Sequence, residues 1–235
     1  GTVLSAVRKK KPRIHAITNP VAQNLTANGL LALGATPSLT LHPPELDAFI
    51  ASADAALLNL GMLDAARFEA LPLAVEAARA HAKPFVLDPV FAERSPARRA
   101  LARAVITTGP AIIKANQNEA AAFAGDFPPG ATILITGASD HLRQGRHTLH
   151  LANGHPLLAQ VTATGCLLGA ILAACLAVEH DPLAAALAGV SILNIAAELA
   201  AGKAQGPGTF APHLLDALAA LTADDIAARL NLEFS

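Results

Sequence analysis

The chain has 235 residues, of which 53% are hydrophobic but only 3% aromatic, and its formal net charge at pH 7 is −1. This length suits a single α/β domain with a sizeable core of small aliphatic residues. The near-zero charge argues against nucleic acid or an anionic membrane surface as the main partner.

Localisation is predicted from the apolar runs and the cysteines. We identify no signal peptide, and the longest uncharged apolar runs, 167–178 and 183–195, are shorter than the roughly 20 residues needed to cross a bilayer. On one helix, Cys166 and Cys175 would face opposite sides and could not pair. We therefore expect a cytoplasmic protein.

Four buried strands are predicted in the middle of the chain. The short apolar runs at 55–60, 84–88, 111–114 and 131–135 have the length and composition of strands that are covered on both faces. Helical stretches at 63–81 and 96–104 separate the first three. Strands and helices in this alternation predict an α/β fold with a mostly parallel central sheet and helices on both faces.

The last third of the chain has a different pattern. Residues 146–152 and 156–161 are joined around Asn153-Gly154, which predicts a β-hairpin. Three apolar helices are then expected at 167–178, 183–201 and 212–221, and Gly206-Pro207-Gly208 separates the last two. Because no repeat, linker or boundary interrupts the chain, we expect one domain over residues 1–235.

A polar residue stands at the carboxyl end of each of the four predicted strands or directly after it. These residues are Asn59, Asp88, Lys114 and Thr136, and Glu119 lies shortly after the third strand. Each has an ordinary alternative explanation, because an Asp after a strand often caps a helix and Glu119 could be a first-turn charge. Ligands of open parallel sheets, however, bind at the carboxyl ends of the strands. Two carboxylates and a cation at one edge suit Mg²⁺ and phosphoryl transfer.

Residues 161–166 form the most informative turn, because an apolar helix is predicted directly behind them. The first N–H groups of a helix have no intrahelical acceptor and lie at the positive end of its dipole, so small residues there let an anion approach. The same field would favour the thiolate form of Cys166. The alternative is an ordinary loop before a buried helix.

The N-terminal segment and several shorter motifs together resemble the hydroxyethylthiazole kinases. The segment 15–37 begins His-Ala-Ile-Thr-Asn-Pro-Val-Ala-Gln-Asn, which is the longest match. Shorter matches follow in family order: Leu-Asn-Leu-Gly at 58–61, Leu-Asp-Pro-Val at 87–90, Asn-x-x-Glu at 116–119, Ile-Thr-Gly at 135–137, Thr-Gly-Cys-Leu-Leu at 164–168 and Gly-Pro-Gly at 206–208. The resemblance covers almost the whole chain.

This resemblance implies a ribokinase-like α/β fold, usually as a homotrimer with active sites between subunits. It implies phosphorylation of the alcohol of 4-methyl-5-(2-hydroxyethyl)thiazole by MgATP, which salvages a thiamine precursor. Two alternatives remain open, namely a kinase of another small hydroxymethyl compound and a catalytically silent homologue that binds a thiazole or a nucleotide.

The resemblance also implies roles for the reacting centre. Cys166 would stand near the substrate hydroxyl, where ribokinase relatives carry an Asp base. The N–H groups of Thr164, Gly165 and Cys166 would cradle the transferring phosphoryl group. Asp88 and Glu119 would hold Mg²⁺, directly or through water.

Five further residues would contact the two substrates. Lys114 and Thr136 would contact ATP, and Lys114 stands where the family usually has Arg. Leu39 and Ala163 would line the thiazole pocket, where the family usually has Met and Gly. Asn19 would hold the thiazole of a neighbouring subunit.

Two segments depart from the family pattern in length or composition. The glycine-rich loop that usually follows Asp88 is replaced by Phe91-Ala92-Glu93. The segment between Glu119 and Thr136 is some two dozen residues shorter than in the family. A helix missing there would leave one face of the sheet less covered.

Overall fold

The computed structural model describes residues 1–234, and a single mixed sheet forms the centre of this part of the chain. The strand order is β2-β1-β3-β4-β5-β6-β7-β8-β9. Neighbouring strands are parallel from β2 through to β6 and antiparallel from β6 to β9. The strands are β1 Arg13–Ile17, β2 Thr36–Ser38, β3 Ala55–Asn59, β4 Phe85–Asp88, β5 Ile112–Asn116, β6 Thr132–Thr136, β7 Asp140–Gln144, β8 His147–Leu151 and β9 Leu232–Phe234.

Helices cover both faces of this sheet, which confirms the predicted fold class. The first core lies between the sheet and α1, α2 and α7 to α10, and the second core lies between the sheet and α3 to α5. The helices are α1 Thr2–Lys10, α2 Pro20–Leu33, α3 Pro43–Ser52, α4 Ala65–Ala80, α5 Pro96–Ile106, α6 Gln117–Ala122, α7 Thr164–Leu176, α8 Pro182–Ala201, α9 Pro207–Ala220 and α10 Ala223–Arg229.

Strands β3, β4 and β5 are apolar except toward their carboxyl ends, because their side chains alternate between the two cores. On β3, Leu57 belongs to the first core, whereas its neighbours Ala56 and Leu58 belong to the second. All four predicted strands, β3 to β6, are present with their ends shifted by one or two residues. Strands β1, β2, β7 and β9 were not predicted.

The predicted hairpin between 146–152 and 156–161 is wrong. Strand β8 pairs instead with β7, and the turn between them contains Gly145 with a φ of 57°. Residues Pro156–Gln160 form a 3₁₀ helix. The Asn153 side chain, rather than making a turn, is buried and donates to the Glu198 carboxylate and to a backbone carbonyl of Arg229.

Helix α9 begins five residues before its predicted start. Gly206 is its N-cap and Pro207 occupies the first turn, where a missing N–H is tolerated. Pro212, which we took as the start, lies inside the helix. The correction brings Phe210, fully buried in the first core, into the helix.

Helix α7 packs directly over the middle of the sheet. A Cβ atom on Gly169 would lie 2.8 Å from Leu57 Cδ1 of β3, so only glycine permits this approach. The helix starts at Thr164, three residues earlier than predicted, which places Cys166 in its first turn. Its N-terminus therefore faces the carboxyl edge of the parallel strands.

Two aromatic side chains cover the sheet face beside the shortened segment. Helix α6 has six residues, and Phe123 follows it as a fully buried member of the second core. The Phe123 and Phe127 rings lie 6.2 Å apart. Aromatic packing thus fills the space at this edge after so short a helix.

Helix α8 is long and apolar enough to span a membrane by length and composition alone. It has 20 residues, and 67% of its most apolar stretch is buried within the protein. This burial between α7 and α9 accounts for its composition, because a helix in the middle of a core is apolar on all sides.

His15 is a fully buried titratable residue on β1. Its Nδ1 atom lies 2.9 Å from Ser38 Oγ on β2, and its ring packs against Phe49. Burial disfavours the charged imidazolium and lowers the pKa of His15 to about 4, although a hydrogen bond with the Thr40 backbone opposes part of this effect.

We expect His15 to make the protein less stable as the pH falls from about 6.5 to about 4. In that range the unfolded chain binds a proton at this residue and the folded chain does not, so the free energy of unfolding decreases with falling pH. At about 1.4 kcal/mol per pKa unit, the loss reaches about 3 kcal/mol. Melting temperatures at pH 7.5, 5.5 and 4.5 measure it. His15→Asn should flatten the profile, and an unchanged profile would contradict this assignment.

Candidate active site

The carboxyl ends of β3, β4 and β5 bring three polar side chains together. Asn59 and Asp88 are the last residues of β3 and β4 and are neighbours in the sheet register. Lys114 lies on β5, next along the sheet. All three side chains are buried, and they lie in front of the N-terminus of α7.

Both oxygens of the Asp88 carboxylate are hydrogen-bonded. Lys114 Nζ donates to Oδ1 at 2.9 Å, and Asn59 Nδ2 donates to Oδ2 at 2.7 Å. Burial acts to lower the pKa of Lys114, but the carboxylates of Asp88 and Glu119 outweigh it, so the pKa lies above its ordinary value. Burial raises the pKa of the Asp88 carboxyl above its ordinary value, and Lys114 and Asn59 oppose this only in part. With its ammonium group 2.9 Å from the carboxylate, Lys114 forms an ion pair with Asp88 within the protein.

Glu119 fastens the loop after β4 to the start of α6. Its Oε2 accepts the Asn116 N–H at 2.8 Å while Asn116 Oδ1 accepts the Glu119 N–H at 2.9 Å, which is a capping box. Its Oε1 accepts the Phe91 N–H at 2.9 Å. Glu119 thus has the structural role that we considered as an alternative, that of an acidic residue in the first turn of a helix. The carboxylate also lines the same cleft as Asp88.

The N-terminus of α7 is open toward the cluster. Its N-cap, Ala163, has a φ of 72° and makes no side-chain capping bond, so the first N–H groups receive no cap from it. Thr164 Oγ1 donates to the Leu158 carbonyl at 2.7 Å and holds the preceding 3₁₀ segment in place. A Cβ on Gly165 would lie 3.5 Å from Lys114 Nζ. An anion at this helix end would therefore meet the ammonium group.

Cys166 is a neutral thiol, and our expectation of a thiolate was wrong. Burial raises its pKa, and the Asp88 carboxylate adds to that effect, while Lys114 opposes it only in part. The Sγ atom accepts hydrogen bonds from Asn59 Nδ2 at 3.4 Å and from Asn19 Nδ2 at 3.6 Å. Asn19, which we expected in a neighbouring subunit's site, thus contacts the cleft of its own chain.

Two clefts meet at this cluster. The first cleft, about 490 Å³, contains Asp88, Glu119 and Cys166, and the second cleft, about 560 Å³, extends between β6, the 3₁₀ segment and α8. Lys114, Thr136 and Gly165 line both. Of the ten residues proposed from the sequence, eight line the first cleft: Asn19, Asp88, Lys114, Glu119, Thr136, Ala163, Gly165 and Cys166.

The other two residues lie elsewhere. Thr164 lines the second cleft. Leu39 lines neither cleft, because it follows β2 near the sheet edge and packs against the first core.

The second cleft has a polar wall that the sequence analysis missed. Asn194 of α8 donates to Asp140 Oδ2 at 2.7 Å and to the Asn153 carbonyl at 2.9 Å, and Asp140 Oδ1 accepts the Gly137 N–H at 3.1 Å. The available signal was Asn194 itself, the one amide side chain in the run 183–197, where Ser191 is the only other polar side chain.

The donors in the first cleft fit a Mg²⁺ ion. Asp88 and Glu119 offer two carboxylates to one space, and the structure places no group of three or more His, Cys, Asp or Glu side chains together among residues 1–234. Mg²⁺ typically keeps several waters and takes one or two carboxylates, so two such ligands suffice. Together with an ammonium group and a helix N-terminus, this arrangement suits the stabilisation of a transferring phosphoryl group.

Comparisons with known proteins agree with this chemistry. The model of the hydroxyethylthiazole kinase family matches residues 4–127 and 127–224. A probable hydroxyethylthiazole kinase of Agrobacterium fabrum is 42% identical over 98% of this chain and 93% of its own length. The structure of a hydroxyethylthiazole kinase from Pyrococcus horikoshii superposes with a TM-score of 0.95 at 35% identity, covering 100% of this chain and 98% of the other.

A more distant structure supports the fold alone. A ribokinase-like superfamily protein of Enterococcus faecalis has a TM-score of 0.61 at 15% identity, covering 92% of this chain and 88% of its own. The fold is therefore ribokinase-like, as the resemblance implied.

Proposed function

The chain belongs to the hydroxyethylthiazole kinase family, and on that premise we propose that it phosphorylates the alcohol of 4-methyl-5-(2-hydroxyethyl)thiazole with ATP, a step of thiamine-precursor salvage. One observation carries the proposal beyond family membership. The charged pair of Asp88 and Lys114 lies where two clefts of similar volume meet at the N-terminus of α7. A phosphoryl group passing from one substrate to another needs such a junction.

The two substrates would occupy different clefts. ATP would lie in the second cleft, with its terminal phosphate beside Thr136, Lys114 and Gly165, which also face the first cleft. The alcohol would lie in the first cleft near Cys166. The unpaired N–H groups of α7 would orient the phosphate oxygens between them. This arrangement supplies the alignment of nucleophile and phosphate on which most of the catalysis of phosphoryl transfer depends.

Charge neutralisation would come from two sources. Asp88 and Glu119 would hold Mg²⁺, which when bound would neutralise negative charge on the phosphate oxygens and on the ADP leaving group. Lys114 would contribute a second positive charge from within the protein. It is a compact ammonium in place of the planar guanidinium usual in the family, so it would contact phosphate with single hydrogen bonds and not as a fork.

Cys166 would position the substrate hydroxyl. Because its pKa is raised, the thiol is protonated at neutral pH and is a poor base. In a loose transition state the hydroxyl loses its proton late, so a strong base is less necessary. Asn59 and Asn19 both donate toward Sγ and fix the side chain in the first cleft.

We expect Cys166→Ala to lower kcat by about 10- to 100-fold, at or below the lower end of general acid–base contributions. The KM for the thiazole should change little, because the thiol buries little substrate area. Steady-state kinetics measure both constants. Cys175→Ala is the matched control, since Cys175 is buried on the same helix outside both clefts. Equal kcat values for Cys166→Ala and the wild type would leave Cys166 as a packing residue.

The family resemblance also leads us to propose a cytoplasmic homotrimer of single-domain subunits. Half-exposed apolar side chains surround the mouth of the first cleft, namely Val21, Met62 and Phe91. A second copy covering them would protect apolar surface and close the cleft. Leu39 lies outside the clefts of its own chain, which suits a contribution to the site of a neighbour. Light scattering measures the mass of the assembly, and a monomer would contradict this part of the proposal.

Turnover tests the proposal directly. Incubated with MgATP, the protein should convert 4-methyl-5-(2-hydroxyethyl)thiazole to its phosphate ester and release one ADP per ester, measured by chromatography. Affinity for the thiazole should be weaker than is usual in the family if Ala163 and Leu39 alter the pocket wall, because a methylene-scale misfit costs about 10- to 200-fold. Ribose and hydroxymethylpyrimidine serve as competing substrates. Faster turnover of either would reassign the substrate, and ligand binding without any ADP would indicate a silent homologue.

A further inference from the structure

Each oxygen of the Asp88 carboxylate accepts a hydrogen bond inside the protein. The side chain is completely buried, and Lys114 and Asn59 each occupy one oxygen at hydrogen-bond distance. Because none of this side chain is exposed, a divalent cation can contact the carboxylate only where a neighbouring group moves aside, and Lys114 and Asn59 are the two side chains that hold its oxygens.

Asn59 is held in place from several sides. Its Oδ1 accepts the Gly61 N–H at 3.0 Å, and its Nδ2 donates both to Asp88 and to Cys166. The side chain is fully buried, and a Cβ on Gly61 would collide with it at 2.9 Å. Movement of Asn59 would leave several buried polar groups without partners, which is costly.

Lys114 is the partner that can leave. Its ammonium group has three donor hydrogens, and its one hydrogen bond to a side chain of the described residues is the bond to Asp88. Its side chain is 7% exposed and borders both clefts, and the Nζ atom faces the small space that Gly165 leaves open. Four rotatable bonds let the ammonium swing toward a phosphate at the start of α7 while its backbone stays in the sheet.

We propose that Lys114 is the resident counter-ion of Asp88, and that it excludes a divalent cation from this carboxylate until the phosphates of a nucleotide draw the ammonium group away. This inference rests on the proposed function, because it places the phosphates at the junction of the two clefts. It makes Lys114 a positioning residue that couples the binding of the cation to the binding of the nucleotide.

The charges at the junction favour this order of binding. Asp88 and Glu119 supply two negative charges and Lys114 one positive charge, so a divalent cation arriving alone would face an ammonium at close range. A nucleotide triphosphate brings enough negative charge to bind the Lys114 ammonium group and the divalent cation together. Before the nucleotide binds, the Lys114 ammonium spares the protein the cost of two carboxylates without a counter-ion. The divalent cation then enters the site together with the nucleotide.

Mn²⁺ is a suitable probe for Mg²⁺, because its binding to the nucleotide-free protein can be followed by electron paramagnetic resonance. We expect Lys114→Gln and Lys114→Met to bind Mn²⁺ at least about 5-fold more tightly than the wild type, the lower limit of typical coupling between sites. Lys114→Gln keeps a donor for Asp88 and serves if the Met variant fails to fold. Lys114→Arg keeps the charge, so its Mn²⁺ affinity should not exceed that of the wild type.

Two controls locate the effect. The double variant Asp88→Asn/Lys114→Met should lose the tighter Mn²⁺ site, because the carboxylate is gone. Lys10→Gln removes an ammonium from a half-exposed pair with Asp54 and should leave Mn²⁺ binding unchanged. Mn²⁺ binding by the Gln and Met variants no tighter than the wild type, or a tighter site that survives the double variant, would overturn the inference. Because no thiazole is present, these outcomes are independent of the turnover experiment.

Discussion

Asp88→Asn is expected to lower kcat by about 10²- to 10³-fold, the range found when one group that stabilises transition-state charge is removed. The substitution takes away a carboxylate at the metal position and the counter-ion of Lys114 together, while the amide keeps an oxygen for one hydrogen bond. Glu119→Gln should cost at least a similar factor. Gln can still complete the capping box, but the charge is lost and its single oxygen cannot also accept the Phe91 N–H. Steady-state kinetics at saturating MgATP measure both.

The double variant tests whether the two carboxylates serve one ion. If they do, Asp88→Asn/Glu119→Gln should lose much less than the product of the two single losses. Melting temperatures separate misfolding from lost chemistry, and Asp54→Asn, at the surface pair with Lys10, is the matched control with an unchanged kcat. A double variant whose loss equals the product of the single losses would show that the carboxylates act independently.

Phe210→Ala is expected to lower the free energy of unfolding by about 3–5 kcal/mol, as is usual for the truncation of a buried aromatic side chain. Phe210 is completely buried in the first core, where α9 packs against α8 and α2. The loss combines the transfer free energy of the ring with the cavity that it leaves. Denaturant unfolding of the wild type and the variant measures the difference.

Phe68→Ala is the matched control, because the same side chain is truncated at a position that is 52% exposed on α4. Its cost should be well below that of Phe210→Ala. Similar costs for the two variants would show that the observed packing of α9 does not contribute to stability as the structure implies.

The central sheet could be predicted because its signal is local. Strands β3, β4 and β5 lie between the two cores, so each has a continuous apolar run before its polar carboxyl end, and β6 has such a run at 133–135. The outer strands give no such signal. Strands β2 and β9 are three residues long, and β7, Asp140–Gln144, is largely polar because it lies outside the doubly covered centre. Such strands form because a neighbour supplies the hydrogen bonds.

The sequence by itself determined which residue types stand at the strand ends and in the first turn of α7. The alternation of strands and helices then placed those residues at one edge, because parallel strands all end on the same side. The sequence also contained the motifs of the family resemblance, which the comparisons confirmed along most of the chain. These properties are local in the sequence, or follow from topology alone.

Only the tertiary structure decided the charge state and the partners of those residues. The local helix field favoured a thiolate at Cys166, but burial and the carboxylate of Asp88, 78 positions away in the chain, raise its pKa instead. Likewise the sequence gives Lys114 no partner, whereas the sheet brings it within 2.9 Å of Asp88. Desolvation and Coulomb interactions depend on what packs around a group in space, so the order of residues along the chain does not contain them directly.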